Sequence, residues 1–312
     1  MKVVALAGGV GGAKLADGLA QILSSEDFTI IVNTGDDFEH LGLKICPDLD
    51  TVCYTLAGLA NPETGWGRAD ETWNTLTGIT LLGGPDWFSL GDRDLGTHLE
   101  RSHRLRAGQT LSQVTRDFCV AWKIGPTVLP MSDDPVSTVV LSDEGELAFQ
   151  EYFVHRHCEP KVEGFRFEGV GEAKPAPGVL QAIRETDLIV ICPSNPWVSI
   201  DPILAVPTLK SVIESRPVVA VSPIIGGKTV KGPAAKMYRE LGIEPSALAI
   251  ASHYRGLLDG FVFDEIDQGL EADIQRVNVR TKVMDTLMTS SAKRKCIGQE
   301  VLNFGKLFLE KQ

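Results

Sequence analysis

The stretch MKVVALAGGVGGAKL, residues 1–15, decides how the rest of the chain is read. Val3 to Ala7 form a short apolar run of β type, Gly8, Gly9, Gly11 and Gly12 follow at once, and from Ala13 to Leu23 apolar residues return at helical spacing. The pattern predicts strand, glycine turn and helix. Glycines let a backbone take positive φ and approach an anion closely, while the free amides and positive end of the following helix favour a phosphate. Lys14 adds a charge beside that turn. The spacing is neither G-x-G-x-x-G nor G-x-x-x-x-G-K-[ST], because Lys14 is followed by Leu15 rather than by a metal-binding hydroxyl. A plain tight strand-to-helix turn is the competing reading.

Working outward, FTIIVNTGDD at 28–37 supplies a second strand that ends in Asn33, Thr34, Gly35, Asp36 and Asp37. Strand, helix and strand make a βαβ unit, whose ligand crevice lies at the carboxyl ends of the strands. Asp36 and Asp37 fall at that edge, where they contact a ribose, a base or a second substrate, or simply cap their own turn. In CPDLDTVCYTLAGL, 46–59, Pro47 and the apolar repeat Val52, Leu56, Leu59 predict a helix starting near Asp50. Asp48 and Asp50 are hard oxygen donors two residues apart beside the phosphate site and suit Mg²⁺; capping of the helix is the alternative.

LGDRDLG at 90–96 is a charged turn before a helix, and Arg93 is its best candidate for gripping a phosphate or a polar ring edge, since a guanidinium bonds in a bidentate way. His98, Arg101, Arg104 and Arg106 follow, as a solvated face or as partners in Asp–Arg pairs. Residues 126–170 alternate β-branched runs with turn residues and read as a β-hairpin-rich insertion. The core resumes with a strand over 187–192 and a turn carrying Ser194 and Asn195, again on the crevice side. Residues 217–242 repeat the format, and Gly226, Gly227, Lys228 and Lys231 near a predicted helix entrance form a second candidate anion cradle. The expected fold class is α/β, a Rossmann-like mostly parallel sheet with helices on both faces, in one domain over 1–312.

Composition sets the limits. A formal charge of −11 argues against a general nucleic-acid or anionic-membrane surface. No apolar run is long enough for a membrane span, and Lys2 leads straight into the first strand, so no leader is expected. The six cysteines lack CxxC spacing and read as reduced thiols of a cytoplasmic protein.

Seven ordered motifs then carry a resemblance: GGVGGAKL at 8–15, NTGDD at 33–37, PDLDTVCYTL at 47–56, LGDRDLGTH at 90–98, MSDDPVSTVV at 131–140, CPSNPWVSIDPIL at 192–204 and SPIIGGKTVKGPAAKM at 222–237. Together they resemble the 2-phospho-L-lactate transferase family, which makes the deazaflavin coenzyme F-420. The resemblance implies a Mg²⁺-dependent transfer of a phosphorylated three-carbon acid from a guanosine diphosphate-linked donor to the ribityl 5′-hydroxyl of Fo (7,8-didemethyl-8-hydroxy-5-deazariboflavin), with release of GMP. The donor group is lactyl, enolpyruvyl or glyceryl, which the motifs do not separate. By the same resemblance Asp48 and Asp50 hold the metal, Asp50 meets the Fo hydroxyl, and Arg93 lies near Fo, which gives Asp50 and Arg93 the catalytic roles. Gly9, Gly11, Gly12, Lys14, Asp36, Ser194, Asn195, Gly226 and Gly227 are the remaining substrate contacts. A homodimer is expected. A nucleotide-sugar-binding regulator of the gluconeogenesis-factor family and a dinucleotide-dependent oxidoreductase are the alternatives.

Overall fold

The computed structural model describes residues 1–311, with side chains through residue 309. Seven strands build the main sheet: β1 (Val3–Ala7), β2 (Phe28–Val32), β3 (Thr127–Pro130), β4 (Leu188–Ile191), β5 (Val218–Val221), β6 (Gly260–Phe263) and β7 (Arg280–Val283), in the spatial order β7-β6-β5-β4-β1-β2-β3. Every pairing in that sheet is parallel. The strand order reverses between β1 and β4, and the space beyond the carboxyl ends at such a switch point is where sheets of this kind ordinarily form their ligand crevice. Because helices cover both faces, the central strands β1, β4, β5 and β6 are buried at every residue rather than alternating, whereas the edge strand β7 reads Arg-Thr-Lys-Val and is not buried. Val3, Ala5 and Ala7 enter one core with Leu15, Val52 and Val301; Val4 and Leu6 enter the other with Ile183, Ile203 and Ile250.

Helix α1 (Gly9–Ala20) follows β1 with a single residue between them, and α2 (Pro47–Leu56) packs beside it. The latter starts earlier than Asp50 because Pro47 is pre-organised for a first helical turn, and its N-cap, Cys46, makes no side-chain cap bond. Helix α3 (Asn74–Leu81) and helix α4 (Asp92–Arg106) cap each other: Glu71 accepts the amides of Arg93 at 2.8 Å and Asp94 at 2.7 Å, while Asp92 accepts those of Asn74 at 3.1 Å and Thr75 at 3.0 Å. The last helix, Ser291–Gly305, crosses α1 where Gly18 meets Gly298.

The first strand of the hairpin-rich stretch, Thr127–Pro130, joins the parallel sheet through β2, so the separate antiparallel unit begins only at Ser137. It consists of Gly145–Ala148, Ser137–Ser142 and Val162–Glu168 in that order. It docks on the crevice: the Thr138 amide donates to the Gly35 carbonyl at 2.7 Å. Gly226 and Gly227 form the turn of a small hairpin between Ile224–Ile225 and Lys228–Thr229, with φ of +56° and +72°, rather than a helix entrance. Paired positive φ values are what a two-residue hairpin turn demands; the next helix starts only at Ala234. Among the described residues no helix is long and apolar enough to cross a membrane, and all six cysteines are free thiols.

Candidate active site

The glycine turn is built into the protein before any ligand is considered. Gly8 is extended and Gly9 takes φ of +59°. The Gly9 amide donates to Asp48 Oδ1 at 2.6 Å, the Gly8 amide to Ser194 Oγ at 3.3 Å, and the Ser194 hydroxyl donates back to the Gly8 carbonyl at 2.8 Å. Of the first-turn donors of α1, the Gly8 and Gly9 amides are taken up in this way, and those of Val10 and Gly11 have no side-chain partner among the described residues. A Cβ at Gly8 would lie 2.5 Å from Asp48 Oδ2, at Gly11 2.2 Å from the Pro193 carbonyl oxygen, and at Gly12 2.7 Å from Ser194 Oγ. Close approach of the 193–194 loop and of α2 therefore requires these glycines. Asn195 is spent locally, accepting from the Trp197 amide at 3.2 Å.

Positive charge gathers over this turn. Lys14 is half-buried and makes no ion pair among the described residues. Burial lowers its pKa, and the charges of Arg294 and Lys231 lower it further. Lys231 reaches in from the 226–233 loop: its Nζ donates to the carbonyls of Glu63, at 3.1 Å, and Thr64. A Cβ on neighbouring Gly65 would lie 2.7 Å from Val10 Cγ1. Two loops thus meet above the glycine turn. Gly226 and Gly227 themselves lie against Asp267, Ile266 and Pro245.

Beside the turn, Asp36, Asp37, Asp48 and Asp50 are all buried. Asn33 at the end of β2 organises them, donating to Asp48 Oδ2 at 2.9 Å and the Val198 carbonyl at 3.0 Å while its Oδ1 accepts the Gly35 amide at 2.8 Å. Burial raises the Asp48 carboxyl to about 6, against bonds from Asn33 and Gly9 that pull it down. Asp36 is raised well above the usual carboxylate range, first by burial and then by the charge of Asp48. Burial also raises Asp37, and Lys44, with Nζ at 3.3 Å, offsets part of it. Thr34 Oγ1, Asp36 Oδ1 and Thr138 Oγ1 are buried without a hydrogen-bond partner. Orphaned polar atoms of this kind are rare in a folded interior and mark a place completed by something else.

Asp50 has a different environment. Arg101, buried on α4, grips it with both terminal nitrogens, Nη1 donating to Oδ2 at 3.1 Å and Nη2 to Oδ1. His98 lies one turn back on the same helix, with Nδ1 3.7 Å from Asp50 Oδ2 and Nε2 3.3 Å from Asp94 Oδ1. Arg93 is more than half exposed at the start of α4; its guanidinium donates to the Ala69 carbonyl at 3.1 Å and pairs with Asp70 at 3.6 Å. The structure therefore brings together the glycine turn, Asp36, Asp48, Ser194 and Lys14, sets Asp50 beside them on α2, and leaves Arg93 and the Gly226–Gly227 turn outside that cluster.

Residues 3–301 match the family described as 2-phospho-L-lactate transferase CofD. The chain belongs to that family. It is 49% identical over 298 residues to the phosphoenolpyruvate transferase of Kitasatospora aureofaciens, covering 93% of each chain. It is 44% identical over 314 residues to the enzyme of that name from Streptomyces griseus, covering 98% of this chain and 99% of the other. The 2-phospho-L-lactate transferase of Methanosarcina barkeri is 41% identical over 300 residues, with 96% and 97% covered. In three dimensions the fold follows a Bacillus halodurans protein of the UPF0052 family, with a TM-score of 0.63, 18% identity, and 96% and 99% of the two chains covered. This member of the CofD family is accordingly an enzyme, a transferase.

Within this CofD-family chain a hard cation fits one pair of carboxylates better than another. The charge of Asp48 raises Asp36, that of Asp37 raises Asp48, and Asp36 keeps an oxygen without a partner. Asp50 already has its charge met by Arg101. One or two carboxylates completed by substrate phosphates is the set Mg²⁺ ordinarily takes. Arg101 and Thr138 escaped the sequence reading as site residues. Arg101 stood among ordinary helical cations, and Thr138, although inside the MSDDPVSTVV motif, lay in a strand of the inserted unit with nothing in its neighbours to direct it to the site.

Proposed function

We propose that this transferase moves a phosphorylated three-carbon acid, enolpyruvyl in the first place, from a guanosine diphosphate-linked donor to the ribityl hydroxyl of Fo, releasing GMP. The observation that carries the reading is identity of 44 to 49% with phosphoenolpyruvate transferases over nearly the whole chain, against 41% with the Methanosarcina barkeri 2-phospho-L-lactate transferase. The uncompensated charge of Lys14 and the remaining first-turn amides of α1 support a seat for the donor's phosphates. Mg²⁺ held by Asp36 and Asp48 would neutralise charge on those phosphates.

The chain's own residues then divide the work. The glycine turn orients the diphosphate so that the phosphorus bearing the three-carbon acid faces the acceptor. Asp50, fixed by Arg101, accepts a hydrogen bond from the Fo hydroxyl and aims it in line, and positioning supplies much of the rate. The bond from that oxygen to phosphorus forms as the bond to the GMP oxygen breaks, and the hydroxyl proton passes to Asp50 and from there to solvent while GMP leaves with the bonding electron pair. Arg93 at the rim is free to exchange the Ala69 carbonyl for a polar edge of Fo. The test is to incubate the purified protein with Fo, Mg²⁺ and equal amounts of the enolpyruvyl, lactyl and glyceryl donors and to resolve the products by mass. Dehydro-F-420-0 and GMP are expected to dominate; conversion of none of the three overturns the assignment.

A further inference from the structure

We propose that His98 is a positioning residue which, through Arg101, fixes the Asp50 carboxylate in the orientation the acceptor hydroxyl needs. The inference rests on the transfer reading above and adds a residue that the reading does not require. A guanidinium only donates. Arg101 Nη1 lies 3.3 Å from His98 Nδ1, 3.1 Å from Asp50 Oδ2 and 3.4 Å from the Lys44 carbonyl, so Nδ1 is an acceptor and carries no proton. The ring proton is then on Nε2, which lies 3.3 Å from Asp94 Oδ1, close enough for charge attraction but without the alignment of a hydrogen bond. Asp94 is held in turn by the Tyr54 hydroxyl at 2.6 Å, and Tyr54 by Thr97 at 2.8 Å. Burial pushes the Asp94 carboxyl up, but His98, Tyr54 and Arg101 together bring it below its usual value, so it stays charged beside the ring.

The order of dependence runs from the protein interior to the site. Tyr54 and Thr97 set Asp94, the Asp94 carboxylate beside Nε2 favours a proton on that nitrogen, His98 Nδ1 takes one direction of the Arg101 fork, and the fork sets both oxygens of Asp50. His98 and Arg101 are 1% and 3% exposed, so water does not replace a missing partner cheaply. Neutral imidazole is required, because a second ring N–H would face the guanidinium.

Two substitutions give opposite orders for positioning and for packing. In His98→Asn the amide oxygen takes the place of Nδ1 and accepts from Arg101, whereas His98→Leu fills the space and accepts nothing. Positioning predicts that His98→Leu lowers kcat by about 10- to 100-fold with KM for donor and Fo within about twofold, and that His98→Asn restores most of the loss. A purely structural residue predicts the reverse, since a buried amide is worse tolerated than leucine; His98→Leu matching or exceeding His98→Asn overturns the proposal. Independently of turnover, long-range proton–nitrogen spectra of the histidine-labelled wild type, assigned with His98→Asn, are expected to show the neutral Nε2–H tautomer. The Nδ1–H tautomer overturns the proposal even if His98→Leu does not fold. Wild-type protein that transfers to Fo from none of the donors sinks the transfer reading instead.

Discussion

Asp36 and Asp48 share one crevice, and burial alone raises both carboxyls before any neighbour acts. Folded Asp48 keeps its proton to about pH 6, against an ordinary value of 3.8. The native state binds the extra proton between those values, so the stability due to this group rises as pH falls through that window and is lost as pH climbs above it. Asp36 is raised further, with the same sign. Asp36→Asn is therefore expected to raise the thermal midpoint of the metal-free protein at pH 7.5, with the gain shrinking toward pH 4. It should also lower kcat/KM by about 100-fold, the order seen when one electrostatic contact to a reacting group is removed. Unfolding scans in chelator at both pH values, beside initial rates with Mg²⁺, decide it. A variant that is destabilised at pH 7.5, or fully active, removes Asp36 from the cation site.

At the scale of elements, the reciprocal caps between α3 and α4 carry the loop that ends near Arg93. Glu71→Ala leaves the amides of Arg93 and Asp94 without their carboxylate and costs about 1 kcal/mol. The expected result is a lower denaturant midpoint together with faster proteolysis within 58–73, while the antiparallel unit from Ser137 stays intact. The crossing of α1 and the last helix is less forgiving. Gly18→Ala gains about 1 kcal/mol of helix propensity, yet its Cβ would fall 2.2 Å from the Arg294 carbonyl oxygen. Overpacking of that order costs about 1–3 kcal/mol, so the clash wins and equilibrium urea unfolding should show net destabilisation. The capping box at Thr110 with Gln113 is the opposite case, an element boundary closed by two residues three apart in the chain.

Taken as a whole, the molecule sets Lys14 and Lys231 above the glycine turn and carboxylates beside it, which is the proposed seat for the donor's phosphates. GDP with Mg²⁺ is expected to raise the thermal midpoint by a few degrees, since ligand at about 100 Kd adds about 2.7 kcal/mol. Lys14→Met should abolish most of that shift while leaving the ligand-free midpoint unchanged or slightly higher, because the like charges of Arg294 and Lys231 no longer oppose a buried cation. An unaltered nucleotide shift in Lys14→Met would remove the lysine from the donor seat.

The sequence by itself determined the parallel α/β sheet, the glycine turn after β1 and the placing of Asp36, Asp48 and Ser194 at the carboxyl edge. Each of these rests on local physics: apolar runs of strand length, helical spacing, and glycines where the backbone turns. The starts of α1 and α2 are less legible, and the Gly226–Gly227 pair suggests a helix entrance in the sequence although it forms a hairpin turn, since a glycine pair serves either equally well. Only the tertiary structure decided which partner each carboxylate meets. Asp50 is neutralised by Arg101, 51 residues away, and Thr138 reaches the crevice from an inserted unit. Lys231 closes on a loop 167 residues earlier. Contacts at such separations leave no period or motif in the chain, and the charge each carboxylate carries follows from which of those partners the fold delivers.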